Sequence, residues 1–477
     1  MKRFWLLNLI MTVLVLSSCT DNWNYSTNGS YTLAFSADTL SFDTVFTGVA
    51  SASAKFMVYN NNNEGLRFDA VMGGGSGSPF RMNLDGEGGS TLTGLEIPAG
   101  DSLFCYVSVN IPQTGMPGLY KAFDSIRFIL ENGNVQFVRL LAKGQDAVRL
   151  RGRRIETDTV LTSVLPFIVF DTLHVAQGAT LTLRPGTRLF FHDGAVLDVA
   201  GRLVAQGTAD SIITMRGDRL DLMQTVPPVA YDLLASQWGG IRLRSTSYGN
   251  VFRFCDIHGG RFGIRADSAS AIMPKFEMYS SVVHNVGGNC IEVTNCNIDV
   301  VNSQITNAGA SCLDIAGGES DFTFCTIADF SLWSLGNQAV ILRDKRGNGN
   351  VPFISARFRN CIVTGRRANE VIVELQDSTR QADSFYFGNS LVMTSDTLDS
   401  HYHNVVFDRH GTAGGGAFNF RNKTLEGFRS VFVLDSLSYA RGIADSLSVV
   451  WPLDIGGVQR PPQSADAGCY QYVQKSE

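Results

Sequence analysis

Between residues 30 and 148, apolar and polar positions alternate in short runs. TLAFS, TLSFDTVF, AKFMVYN, LRFDAV, LFCYVSVNI, IRFIL and VQFVRLLA are separated by the turn-forming stretches NNNNEG, MGGGSGSP, IPAGD and ENGN. Alternation places every second side chain on one face, as in a strand with one buried side. About seven such runs in this length predict an antiparallel β-sandwich.

The rhythm changes near AVRLRGRR, Ala147 to Arg154. From Leu173 the chain reads LHVAQGATLTLRPGTRLFFHDGAVLDVAGRLVAQGT, with glycines at 178, 186, 194, 201 and 207. The strands TLTL, RLFF, AVLDV and RLVA lie between them with no Asn-Gly hairpin signal. A strand plus turn takes about seven residues, so three make a period of about twenty-two, which points to a solenoid. The period returns in FRFCDI, MYSSVV, VVNSQI, FTFCTI, FRNCIV and FGNSLV, whose Cys or Ser stands at 255, 281, 303, 325, 361 and 390. The two cleanest steps are 22 residues, and the steps of 26, 36 and 29 require inserted loops. Stacked coils would align these residues as an inward ladder of small side chains, with Ile257, Val283, Ile305, Ile327, Val363 and Val392 as an aliphatic ladder beside it. Asn302, Asn360 and Asn389 precede ladder residues and suggest an asparagine stack in the turn.

Composition agrees with a turn-rich β protein. Charged residues make up 17% of the 477 residues, below the usual quarter or so, and there are 48 glycines. The net charge of −5 carries no basic footprint, so nucleic acid is not an expected partner. The expected state is a monomer. Of the nine cysteines, the eight after Cys19 would invite a disulfide reading in an exported protein. The alternation of Cys with Ser in the ladder favours packing thiols instead. Cys290 and Cys312 read as a second ladder, while Cys296 is the best remaining candidate for a pair. No CxxC supports a structural zinc site.

The first residues, MKRFWLLNLIMTVLVLSSC, have a positive start and an apolar run too short for a comfortable membrane span. Leu16-Ser17-Ser18-Cys19 resembles the lipobox of bacterial lipoproteins. That resemblance implies cleavage before Cys19, lipidation of Cys19 and a membrane partner through the acyl chains. Thr20 in place of Asp argues against inner-membrane retention, so outer-membrane anchoring is expected, at the periplasmic face or the cell surface. Residues 30–148 resemble immunoglobulin-like domains of bacterial surface proteins. The opening coils, with Pro185-Gly186-Thr187 and Gly207-Thr208, resemble right-handed parallel β-helix proteins. DIGGVQRPPQSADAGCYQ, from Asp454, resembles a terminal motif of secreted members of that superfamily, with Cys469 where Ala is usual. The expected fold is therefore all-β: signal peptide 1–18, lipidated Cys and tether 19–29, immunoglobulin-like β-sandwich 30–148, and right-handed parallel β-helix 149–474.

The expected function is a lipid-anchored envelope protein with a binding or adhesion surface, for glycans. The alternatives are a polysaccharide lyase or glycoside hydrolase, and a purely structural envelope protein. No catalytic residue and no cofactor is assigned. RDKRGNGN, 343 to 350, falls in the 36-residue step and should protrude. Arg343, Lys345 and Arg346, with Arg366 and Arg367 after the next strand, are candidate ligand-binding residues. Lys345 would be the base of a lyase and the arginines its carboxylate clamps. Glu370 with Glu374, or Asp377 with Asp383, are nominated as hydrolase carboxylates. Trp333 is the plausible exposed aromatic of the long step, whereas Trp238 reads as packing. His401 and His403, two apart and on one strand face, are weak candidates for a metal, with Asp408 and His410 repeating the spacing.

Overall fold

The computed structural model describes residues 24–115, 117–223, 228–268, 273–331, 338–376, 378–408, 418–421 and 432–474. Cys19, Trp333, Asp377 and His410 lie outside them. The chain is almost entirely β and divides into two compact units, Met1–Asp146 and Ala147–Glu477. No helix among the described residues is long and apolar enough to cross a membrane.

The first unit holds two five-stranded sheets. One orders the strands Ala34–Phe35, Ala54–Tyr59, Ser102–Val109, Phe80–Leu84 and Glu87–Gly89. The other orders Thr39–Phe46, Val135–Gln145, Leu119–Leu130, Leu66–Met72 and Thr91–Ile97. Pairing is antiparallel except between Thr39–Phe46 and Val135–Gln145. The alternation seen in the sequence sends Phe56, Val58, Phe68, Ala70, Cys105, Val107, Ile126 and Phe128 into one apolar cluster shared by the two sheets.

The second unit is a solenoid-like stack of parallel strands. An 11-stranded sheet runs from Val148–Arg151 to Val406–Phe407, and a 17-stranded sheet collects the other strands of the coils. Residues one coil apart pair in register, Thr159 with Leu181 and Ile291 with Leu313, for example. The inward face carries the predicted aliphatic ladder from Ile257 to Val392. Beside it Phe322, Phe358, Phe387 and Tyr402 stack, with centroid spacings of 4.9, 4.5 and 5.2 Å. Offset aromatic contacts of this kind add about 0.5–1.5 kcal/mol each beyond their area.

The Cys/Ser ladder has a hydrogen-bonding reason. Ser281, Ser303 and Ser390 each donate the hydroxyl to the carbonyl two residues back, at 2.9, 2.8 and 2.8 Å. Each hydroxyl or thiol then accepts the N–H of the ladder residue in the preceding coil: Cys255 N to Ser281 Oγ is 3.0 Å, Cys325 N to Cys361 Sγ is 3.5 Å, and Cys361 N to Ser390 Oγ is 2.9 Å. Ser and Cys both donate and accept, so they interchange where Ala would leave a buried N–H orphaned. All eight described cysteines are buried free thiols. Cys296 is among them: its thiol packs against the carbonyls of Thr294 and Asp267, at 3.1 and 3.4 Å. Trp238 is fully buried, stacked on Phe191 at 4.1 Å.

The residue before each ladder position has positive φ, at Phe254, Ser280, Asn302, Phe324, Asn360 and Asn389. Asn tolerates this conformation, while an aromatic pays strain there. The expected asparagine stack does not form: Phe324 stands between Asn302 and Asn360, and the amides of Asn360 and Asn389 turn to the terminal segment. Asn302 bonds Ser280 Oγ at 2.9 Å instead, Asn360 bonds Asp445 at 2.7 Å, and Asn389 points Nδ2 at the Ile443 carbonyl. A short asparagine pair stands elsewhere, with Asn307 Nδ2 on Asn285 Oδ1 at 3.2 Å.

The terminal motif is a clamp. Ala440, Ala467 and Leu434 pack on the outward side chains Ala328, Ile362 and Leu391 of the 11-stranded sheet. Asp454 accepts the N–H groups of Val458 and Gln471, at 2.7 and 2.8 Å, closing the DIGGV turn. Thr326 Oγ1 accepts Cys469 N at 3.1 Å, and Tyr470 donates to Gln304 Oε1 at 3.0 Å. Arg460 lies buried beneath these contacts.

Candidate functional site

The protruding segment is a small hairpin. Lys345–Arg346 pairs antiparallel with Gly349–Asn350, turning through Gly347 at φ 59°, and Val351 N closes its base on the Asp344 carbonyl at 2.7 Å. Asp344 is buried at that base, and its Oδ2 accepts Gln376 N at 2.9 Å, tying the hairpin to the loop after Val371–Glu374. An open polar cleft of about 510 Å³ lies between them, with Asn350, Ile354, Gln376, Gln381 and Asp383 on its walls. A neighbouring hollow of about 380 Å³ shares Asp344 and Gln376 and adds Arg343, Lys345 and Glu374. Asp344 Oδ1 is buried and, among the described residues, has no hydrogen-bond partner. A carboxylate oxygen can only accept, so this atom has room for a further donor.

The candidate cations divide into different roles. Arg343 lies 3.1 Å from Asp314 and 3.5 Å from Glu374. Arg346 turns back to the solenoid, bonding Asp314 Oδ2 at 2.8 Å, the Val293 carbonyl at 3.0 Å and Thr294 Oγ1 at 3.2 Å. Both fasten the hairpin region to the solenoid through Asp314, and Arg343 also lines the hollow. Lys345 is exposed on the wall of the hollow, and among the described residues it makes no ion pair. The structure does not bring Arg366 and Arg367 to the cleft. They belong to the turn that buries Glu370, whose carboxylate accepts Arg367 N at 2.7 Å and Ala339 N at 2.9 Å. The pairing of Glu370 with Glu374 as hydrolase carboxylates therefore does not arise: Glu370 caps a buried turn while Glu374 faces the hollow.

His401 and His403 do not form a ligand pair. His401 is buried and stacked on Phe385 at 3.8 Å, with Nε2 on the Gln381 carbonyl at 2.8 Å and Nδ1 on Asp399. His403 is exposed against Tyr386. Spacing of two aligns side chains only in a regular strand, and His401 stands just before the two-residue strand Tyr402–His403. His401 instead supports the loop that forms one cleft wall.

A second polar array had a signal in the sequence that was not read. Glu277, Asp299 and Asp321 are 22 residues apart and stack in register on the outward face of the 17-stranded sheet, followed by Arg357. Arg357 bonds Asp321 at 3.1 Å and Glu319 at 2.8 Å. The Tyr279 hydroxyl lies 3.3 Å from Glu277 and 3.4 Å from Asp299, and its ring stacks on Trp451 at 5.7 Å. Burial raises the Asp299 carboxyl above its ordinary value and the Asp321 charge adds to this; burial raises Asp321 too, against Arg357. Adjacent rungs stand one strand spacing apart, about 4.8 Å.

No protein-family model and no curated protein matches the chain. Among solved structures, a GH87 α-1,3-glucanase from Streptomyces thermodiastaticus strain HF3-3 is similar over 75% of this chain and 76% of its own, at 10% identity and a TM-score of 0.26. A family 123 glycoside hydrolase from Clostridium perfringens is matched over 25% of this chain and 30% of its own, at 8% identity and a TM-score of 0.19. This chain thus spans under a third of the clostridial enzyme. The PapD-like domain 7 of human CEP192 is matched over 27% of this chain and 94% of its own, at 10% identity and a TM-score of 0.17.

Proposed function

We propose that this is a lipid-anchored envelope protein that binds a polysaccharide in the cleft between the Lys345–Asn350 hairpin and the loop from Gln376 to Ser384. The observation that carries this reading is Asp344 Oδ1, a buried acceptor with no donor among the described residues, at the base of an open polar cleft. Asp344 lines the cleft, so a small turn of its carboxylate lets a sugar hydroxyl donate to Oδ1, and the exposed Lys345 ammonium suits a uronate carboxylate. In this reading Cys19 carries the acyl chains in the outer membrane, residues 30–148 form an immunoglobulin-like sandwich serving as spacer, and the coils from 149 wind as a right-handed β-helix. Replacing Cys19 by Ser should move the protein from the membrane fraction to the soluble one. Unchanged membrane retention would count against the anchor.

The test of binding is retention by a panel of neutral and acidic polysaccharides, with reducing and unsaturated sugars assayed in the same tubes. Retention of a uronate polymer is expected, about three- to tenfold weaker in Lys345→Ala and weaker at high salt for both proteins. No retention by any polymer, or identical retention by the variant, would sink the cleft reading. A second reading, glycoside hydrolysis, is favoured by the Glu277–Asp299–Asp321 rungs, in which burial raises the Asp299 and Asp321 carboxyls. Sugar release that disappears in Asp299→Asn would establish it.

A further inference from the structure

The parallel strands Cys255–His258 and Val282–Val286 are neighbours in the 11-stranded sheet, with His258 directly opposite His284. Both histidines stand three residues after a ladder position, Cys255 and Ser281, so the coil repeat stacks their rings, with centroids 4.7 Å apart. Asp256 lies two residues before His258 on the same face of a regular strand. His258 Nδ1 is 2.8 Å from Asp256 Oδ1, and His284 Nε2 is 3.1 Å from that same oxygen. All three potential ligand atoms lie within 4.8 Å of one another.

The surroundings hold these groups in place. Trp238 Nε1 donates to the His258 carbonyl at 2.8 Å, and Gln237 N donates to the Gly259 carbonyl at 2.6 Å. Asn285 Nδ2 bonds the Leu233 carbonyl at 3.1 Å, so the segment from Leu233 to Trp238 is fastened at the C-terminal ends of both strands. His258 is buried, whereas the His284 and Asp256 side chains are 20% and 29% exposed. One side of the cluster is therefore open to solvent.

We propose that Asp256, His258 and His284 bind one divalent transition-metal ion, zinc by the chemistry of the donors. Two imidazoles and one carboxylate are a borderline set that suits zinc and disfavours calcium or magnesium, which take oxygen ligands. Tetrahedral zinc with bonds of about 2.0–2.1 Å places its ligand atoms about 3.3 Å apart. The observed 2.8 and 3.1 Å need to open by only a few tenths of an ångström. On binding, each ring carries its proton on the nitrogen that faces away from the ion. Three protein ligands leave a fourth position for water or an oxygen of a bound molecule on the exposed side. The strands that supply this site belong to a different sheet from those that frame the cleft, so the site and the polysaccharide reading stand or fall separately.

The experiment uses the full chain without a polyhistidine tag, stripped with a chelator and titrated with Zn²⁺ by calorimetry and with Co²⁺ by visible absorption. One equivalent is expected to bind, and Co²⁺ should show the d–d bands of a four- or five-coordinate ion. His284→Ala should weaken binding by about 100-fold or more, while His403→Ala leaves it unchanged. Should His284→Ala fail to fold, anomalous scattering at the zinc edge from crystals of the wild-type protein decides the question, with a peak expected among the three side chains. No saturable uptake, equal affinity in folded His284→Ala, or an anomalous peak elsewhere would overturn the proposal.

Discussion

Arg460→Met is expected to destabilise the second unit by about 3–5 kcal/mol, the scale of leaving several hydrogen-bond acceptors without their shared donor. Arg460 is about 1% exposed. Its Nη2 donates to Asn302 Oδ1 at 2.7 Å and to the Gly468 carbonyl at 3.2 Å, and its Nη1 to the carbonyls of Leu453 and Trp451 at 2.5 and 3.3 Å. Its guanidinium stands 4.2 Å from the Phe324 ring. One side chain thus joins the turn residue Asn302, the strained Phe324 turn and both ends of the terminal motif. Methionine fills similar volume but leaves two buried acceptors, Asn302 Oδ1 and the Gly468 carbonyl, without this donor, each costing about 1–3 kcal/mol, while the part-buried Trp451 and Leu453 carbonyls also lose it. Arg460→Lys should fall in between, because one ammonium cannot span the same acceptors. Urea unfolding measures the loss, and protease cleavage within 432–474 reports release of the tail. A loss below about 1 kcal/mol, with the tail still protected, would show that the clamp lies elsewhere.

The second large effect concerns pH. Burial pushes the Asp329 carboxyl up to about 7, and the neighbouring Glu370 charge adds to this against the Ser331 N–H. Burial likewise pushes Glu370 up to about 7, against the backbone N–H groups it accepts. Both folded-state values lie above the unfolded ones, so between about pH 4 and 7 the folded protein holds more protons than the unfolded chain. The contribution of these groups to stability is therefore complete below pH 4, falls as pH rises through 7, and is lost above it. For Asp329, a move from 3.8 to about 7 corresponds to roughly 4 kcal/mol. Asp329→Asn keeps an oxygen for Ser331 N and removes the charge. It should therefore raise stability at pH 8 by about 3 kcal/mol and flatten the decline between about pH 4 and 7. Parallel pH curves for wild type and variant would mean that the two carboxyls do not share a proton-dependent strain.

What the sequence made legible was what repeats. Cys255, Ser281, Ser303, Cys325, Cys361 and Ser390 fall into one ladder because every coil faces the same need for a small donor-acceptor side chain. Asn302, Asn360 and Asn389 mark turns because Asn tolerates positive φ, but Phe254 and Phe324 occupy the same conformation without any such signal. Packing enforces it there, and packing is invisible to a local pattern. The interruptions were legible only as protrusions. Five cations looked alike in the sequence, yet Arg343 and Arg346 are spent on Asp314, Arg366 and Arg367 stand at the Glu370 turn, and Lys345 is exposed beside the hollow. The partner of Asp344 lies 32 residues on, at Gln376, a distance set by irregular loops rather than by the repeat. His258 and His284 were legible in principle, since both stand three places after a ladder residue. Spacing of two drew attention to His401 and His403 instead, where no regular strand aligns them.

The central claim, a polysaccharide cleft built on Asp344, is tested most directly by a crystal structure of the protein with a bound oligouronate. The account predicts sugar between the hairpin and the loop, with a hydroxyl donating to Asp344 Oδ1 and a carboxylate near Lys345. Sugar lying only along Glu277, Asp299 and Asp321, with the cleft holding nothing but water, would contradict it.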